Sequence, residues 1–122
     1  MFEVKVLSEF ASAHYLRGYK GKCENMHGHN YKLEVAVQAK RLNNIGLVLD
    51  FGDIKRELKV VTEELDHKVL DELSFFRKMN PSAENIAKHI YSRLKPKLNK
   101  GGVKLSKVVV WETDRSCATY SE

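Results

Sequence analysis

The chain is an α+β protein on the evidence of its periodicities, with an antiparallel sheet and two helices packed on one face. Apolar residues alternate with period two near both ends, the mark of half-buried strands. Two stretches in the middle instead repeat their apolar residues at helical spacing. Helices grouped together between antiparallel strands give a two-layer sandwich. A length of 122 residues leaves room for one core, so residues 1–122 are expected to form a single domain.

In the first strand, Phe2, Val4 and Val6 share one phase and Glu3 and Lys5 the other. The same phase reaches Phe10 and then His14, so that imidazole is expected on the core side. Gly18 and Gly21 mark the segment from Arg17 to Lys22 as a loop. The second strand is the clearest element, with Tyr31, Leu33, Val35, Val37 and Ala39 in phase. Carried back, that phase includes His27 and His29. Asn43-Asn44-Ile45-Gly46 predicts a hairpin turn, with a short strand at Leu47-Val48-Leu49. Asp50 or Asp53 caps a helix over about 53–65, with Ile54, Leu58, Val61 and Leu65 as its stripe. Asn80-Pro81 opens a second helix, with Ile86, Ile90 and Leu94 inward and Pro96 ending it. Gly101-Gly102 form a turn, Val108, Val110 and Glu112 share a strand face, and a last strand covers Ala118 to Tyr120.

The composition is that of a globular protein, with 43% hydrophobic and 30% charged residues. No apolar run approaches the roughly 20 residues of a membrane span, and no charged-then-apolar leader is present. A cytoplasmic, reducing setting with free thiols at Cys23 and Cys117 is therefore expected. The net charge of +5 is spread along the chain among 16 acids. That pattern suits a solubilising surface or a small polyanionic ligand, with Arg17, Lys20 and Lys22 placed to meet it. Nucleic acid is not expected as a partner, because the aromatic-basic interleaving used for base stacking is missing.

The chemistry concentrates around three histidines. His27 and His29, two apart on one strand, project to one face, and Gly28 between them carries no side chain. With His14 they form a candidate set of three imidazoles for Zn²⁺, leaving a fourth position open as catalytic zinc sites do. Cys23 lies four residues before His27. Beside a dication and lysines its thiol would ionise readily, as a fourth ligand, a nucleophile or a general base. Leu65-Asp66-His67 offers a carboxylate-oriented imidazole for proton transfer near neutral pH. Glu112 on an inward face needs a partner, and a ligand's N–H groups would supply one. Cys117 is expected to pack and His89 to lie on the surface.

These residues, taken with Phe10-Ala11-Ser12-Ala13-His14, Asn80-Pro81-Ser82-Ala83-Glu84-Asn85 and Glu112-Thr113, resemble the 6-pyruvoyl-tetrahydropterin synthase superfamily, in order and over nearly the whole length. The resemblance implies the tunnelling fold, assembled as a homohexamer of two stacked trimers with sites at subunit interfaces. It implies zinc on His14, His27 and His29, Cys23 as proton-abstracting base, and Asp66 with His67 assisting proton transfer. Glu112 would anchor the pterin, with Thr113 beside it and Ser82 and Glu84 matching a Thr-x-Glu segment nearby. Three residues between Cys23 and His27 resemble the 6-carboxytetrahydropterin synthases of the queuosine and archaeosine pathways more than the animal-type 6-pyruvoyl enzymes, which usually have five. The implied reaction is zinc-dependent conversion of 7,8-dihydroneopterin triphosphate to 6-carboxy-5,6,7,8-tetrahydropterin, acetaldehyde and triphosphate. Triphosphate elimination by a 6-pyruvoyl enzyme and a non-catalytic zinc-binding module are the alternatives. Ligands and Glu112 are expected to meet across an interface.

Overall fold

A computed structural model describes residues 1–21 and 24–122. Strands β1 (Phe2–His14), β2 (His27–Ala39), β3 (Lys104–Thr113) and β4 (Ser116–Tyr120) form one antiparallel sheet in that order. Helices α1 (Phe51–Leu65) and α2 (Ala83–Leu98) lie between β2 and β3 in the chain, joined by two short 3₁₀ turns. Val6 and Phe10 of β1, Tyr31, Leu33, Val35 and Val37 of β2, and Val108 and Val110 of β3 are buried in one cluster with both helix stripes. Both helices therefore cover the same sheet face, as the alternation requires.

Each helix begins on a side-chain cap. Asp50 Oδ1 accepts the Gly52 amide at 2.7 Å, so α1 starts two residues ahead of the predicted point. Ser82 Oγ accepts the Asn85 amide at 3.1 Å, and Pro81 lies before that cap rather than inside the first turn. Two predicted features are corrected. Leu47-Val48-Leu49 is not a strand, because Asn43 closes the turn on itself. Its amide donates to Leu47 O at 2.8 Å and its Oδ1 accepts from Leu47 N at 3.0 Å, leaving Leu47 nothing for a ladder. Pro96 does not end α2, which runs to Leu98. Proline removes one donor, but the Asn99 amide still reaches Lys95 O at 3.0 Å, and burial of Leu98 holds the last turn in place.

Two side chains also depart from expectation. Cys117 is free and exposed, because it faces Trp111 across the edge strand β4, on the helix-free side. His89 is half-buried, stacked on Phe75 with ring centroids 3.9 Å apart. The helical stripe alone could not reveal this, since Phe75 reaches α2 from the 3₁₀ connection.

Burial holds His89 down at about 4, assisted by Arg93 and opposed by Glu64. The unfolded chain takes up this proton below about 6.5, whereas the folded chain resists until about 4. Stability should therefore fall as pH drops from 6.5 to 4 and gain no further loss from this group below that. The loss amounts to roughly 2 kcal/mol once solvent access to the ring is allowed for. Thermal unfolding across this range checks it: His89→Leu should flatten the decline, and an unchanged decline would refute the assignment.

Candidate metal centre

Strand register builds the centre. In the β1–β2 ladder His14 pairs with His27 and Ser12 with His29, and the pleat sends all three imidazoles to the helix-covered side. Lys32 pairs with Trp111 in the β2–β3 ladder, which carries Glu112 to the same end. Gly28 is ordinary extended backbone, and a Cβ there would meet Ser12 O at 3.6 Å, an unstrained contact. Register, not the missing side chain, aligns the histidines.

One ligand atom from each of His14, His27, His29 and Glu112 lies within 4.8 Å of the others. His14 Nε2 and His27 Nε2 are 3.0 Å apart. The other nitrogens of these rings sit on carbonyls, His14 Nδ1 at 2.7 Å from Pro81 O and His27 Nδ1 at 2.7 Å from Asn25 O. A carbonyl only accepts, so both Nδ1 atoms carry protons and each ring turns its Nε2 toward the other. Two Nε2 atoms at that separation can share one proton or hold one metal ion between them. His29 Nε2 is buried, with no well-aligned hydrogen-bond partner among the described residues. Glu112 Oε1 comes to 3.0 Å from it. Burial foremost, with His14 and His27 alongside, holds His29 below its ordinary range against the pull of Glu112. Pre-oriented imidazoles with backbone acceptors behind them are the donor set a divalent metal takes.

The support behind His14 was not legible in the sequence. Arg17, expected to meet an anion, donates instead to the carbonyls of Arg77 at 2.7 Å, Met79 at 2.9 Å and Phe76, and to Asn80 Oδ1 at 3.2 Å. Asn80 Nδ2 returns a bond to Arg17 O at 2.8 Å. This stitch fixes the segment ending at Pro81, whose carbonyl holds His14. Buried Asp71 adds a bond from the Tyr15 amide at 3.0 Å. Tyr31 packs beneath His14 and His29, and burial pushes its phenol far above its ordinary range.

The remaining predicted residues divide. Asp66 Oδ2 lies 2.9 Å from His67 Nδ1, and Asp66 Oδ1 accepts the Ala11 amide at 2.9 Å. That amide first and His67 second hold the Asp66 carboxyl below its usual range. The pair sits beyond the β1 edge, with His67 82% exposed in a left-handed backbone and outside the four-residue cluster. Glu84 lines a hollow with Glu112, Ala83, Ser116 and Thr119. Ser82 is occupied as the α2 cap. Thr113 Oγ1 accepts the Arg115 amide at 3.2 Å in the β3–β4 turn, and Thr113 is not among the residues of that hollow. Cys23 lies outside the described residues. The expectation that Glu112 meets the histidines across an interface is corrected, since direct β2–β3 pairing joins them within one chain.

The family model described as 6-pyruvoyl tetrahydropterin synthase matches residues 3–122. The chain is similar to proteins named 6-carboxy-5,6,7,8-tetrahydropterin synthase. That of Aquifex aeolicus is 36% identical over 124 residues, covering 83% of this chain and 76% of the relative. That of Haemophilus influenzae is 31% identical over 144 residues, with 100% of both covered. The solved 6-pyruvoyl tetrahydropterin synthase of Caenorhabditis elegans superposes with a TM-score of 0.90 at 29% identity, covering 99% of this chain and 95% of that one.

Proposed function

Because the chain belongs to the 6-pyruvoyl tetrahydropterin synthase family, we propose that it converts 7,8-dihydroneopterin triphosphate to 6-carboxy-5,6,7,8-tetrahydropterin, acetaldehyde and triphosphate. The observation that carries a metalloenzyme reading is the convergence of one ligand atom from each of His14, His27, His29 and Glu112 within 4.8 Å, with the His14 and His27 Nε2 atoms 3.0 Å apart. His14, His27 and His29 would hold Zn²⁺, which when bound supplies Lewis acidity toward the substrate's side-chain hydroxyls. The three-residue spacing from Cys23 to His27 and the names of the relatives support the carboxy product. The solved neighbour's name keeps the 6-pyruvoyl product as the second reading.

The residues divide the labour by chemistry. Glu112 accepts hydrogen bonds from the pterin N–H groups and orients the ring, with Glu84 across the same hollow. Cys23, as thiolate, removes a proton from the substrate side chain. Asp66 fixes the His67 Nδ1 proton at 2.9 Å, which leaves Nε2 free to accept and return a proton. The net charge of +5 favours arrival of a triphosphate.

His67 serves a neighbouring subunit's centre in this proposal, within a homohexamer of two trimers. Its high exposure, its place outside its own chain's cluster, and the open helix-free face support the reading. That face carries Leu7 at 69% exposure and Trp111 around a hollow of about 730 Å³. The β4 edge and the β1 edge ahead of Ala11, beyond which residues 66–69 pair with the strand, would otherwise invite uncontrolled association.

Product analysis by mass spectrometry after incubation with dihydroneopterin triphosphate tests the reaction. Acetaldehyde and a 6-carboxypterin are expected, whereas a 6-pyruvoyl product establishes the second reading and unconsumed substrate refutes both. Mixing tests the assembly. Cys23→Ala and His67→Ala subunits, each inactive alone, should recover part of the activity in mixed oligomers. No recovery in oligomers shown to be mixed would place both residues in one chain's site.

A further inference from the structure

One carboxylate on β3 stands between two binding places. Glu112 Oε1 is 3.0 Å from His29 Nε2 and 3.8 Å from His14 Nε2, inside the cluster of four ligand atoms. The same side chain walls the hollow that contains Ala83 and Glu84. At 3.0 Å from buried His29 Nε2, the carboxylate stands where a ligand to the same ion would stand. Nitrogen and oxygen lone pairs thus converge from three imidazoles and one carboxylate, the donor count of a closed tetrahedral centre. A pterin in the hollow would draw on the same carboxylate for its N–H groups.

We propose that Glu112 is the fourth ligand of the resting metal centre and that a pterin withdraws it, opening a coordination position as the substrate's hydroxyls arrive. The proposal rests on the metalloenzyme reading above and adds a sign to it. A pterin that takes Glu112 from the metal, yet offers no hydroxyls in return, must weaken metal binding. By reciprocity the metal must weaken binding of that pterin to the same degree. A glutamate that only anchors the ring would leave metal affinity untouched in the absence of pterin. The resting centre would also be guarded from stray nucleophiles until the ring is seated.

The experiment uses Co²⁺ as the metal and 6-methylpterin, which lacks side-chain hydroxyls, as the ring. Co²⁺ affinity is measured by competition with a chelator, with the visible absorption spectrum read in parallel. Glu112→Ala should weaken Co²⁺ about tenfold or more and change the spectrum. 6-Methylpterin should weaken Co²⁺ in the wild type and leave Glu112→Ala unaffected. Glu112→Gln, which keeps the shape and loses the charge, should weaken Co²⁺ too and covers the case in which alanine disturbs folding. Equal Co²⁺ affinity and spectrum in the wild type and both variants would overturn the proposal while leaving the metal reading intact. Co²⁺ binding unchanged or strengthened by 6-methylpterin would overturn the exchange. A wild type that binds no Co²⁺ at all would overturn the metalloenzyme reading and this proposal together.

Discussion

The register between β1 and β2 is the constraint on which the rest depends. Thirteen consecutive pairs, from Phe2 with Ala39 to His14 with His27, run without a shift. A slip of one residue would turn every side chain of a strand to its opposite face. It would expose Phe10, Tyr31 and Leu33, which are buried beneath the helices, and would part the three imidazoles. The hydrophobic core and the candidate metal centre are therefore specified by the same ladder. The apolar residues set the phase, and the histidines at the open end inherit it. The shift in the neighbouring ladder falls between Ala36 and Val37, well away from the centre, so that irregularity costs the site nothing.

The polar support around His14 is the second layer. Neutral imidazoles must present Nε2, and the tautomer is fixed by what Nδ1 meets. Pro81 O does this for His14 and Asn25 O for His27. Pro81 is held in turn by the Arg17–Asn80 stitch across more than sixty residues of chain. A planar guanidinium with several fixed donors suits a row of carbonyls far better than a lysine ammonium would. Hence Arg17 belongs to the scaffold of the centre, although composition alone made it look like a cation awaiting an anion.

Strand phases were legible in the sequence because burial on one face leaves a period-two record. His14, His27, His29 and Glu112 were legible for the same reason, as polar residues continuing an apolar phase. The short strand at 47–49 failed because one asparagine side chain outcompeted the ladder for Leu47. Pro96 failed as a stop because a proline removes one bond while the following turn keeps its own. His89 and Arg17 were misread because their partners, Phe75 and the carbonyls of residues 76–79, come from irregular connections that carry no period. The exposed Asp66–His67 pair shows the limit of the single chain, since it stands outside that chain's own cluster of ligand atoms.

The proposed centre would hold its metal on three imidazoles with an oxygen, not a sulfur, in the fourth place. X-ray absorption on the zinc-loaded, substrate-free protein reads that shell directly. Three imidazole nitrogens at about 2.0–2.1 Å and one oxygen at about 2.0–2.2 Å are expected. A sulfur at about 2.3 Å would make Cys23 a ligand and the centre a structural one, and fewer than three imidazoles would contradict the site itself.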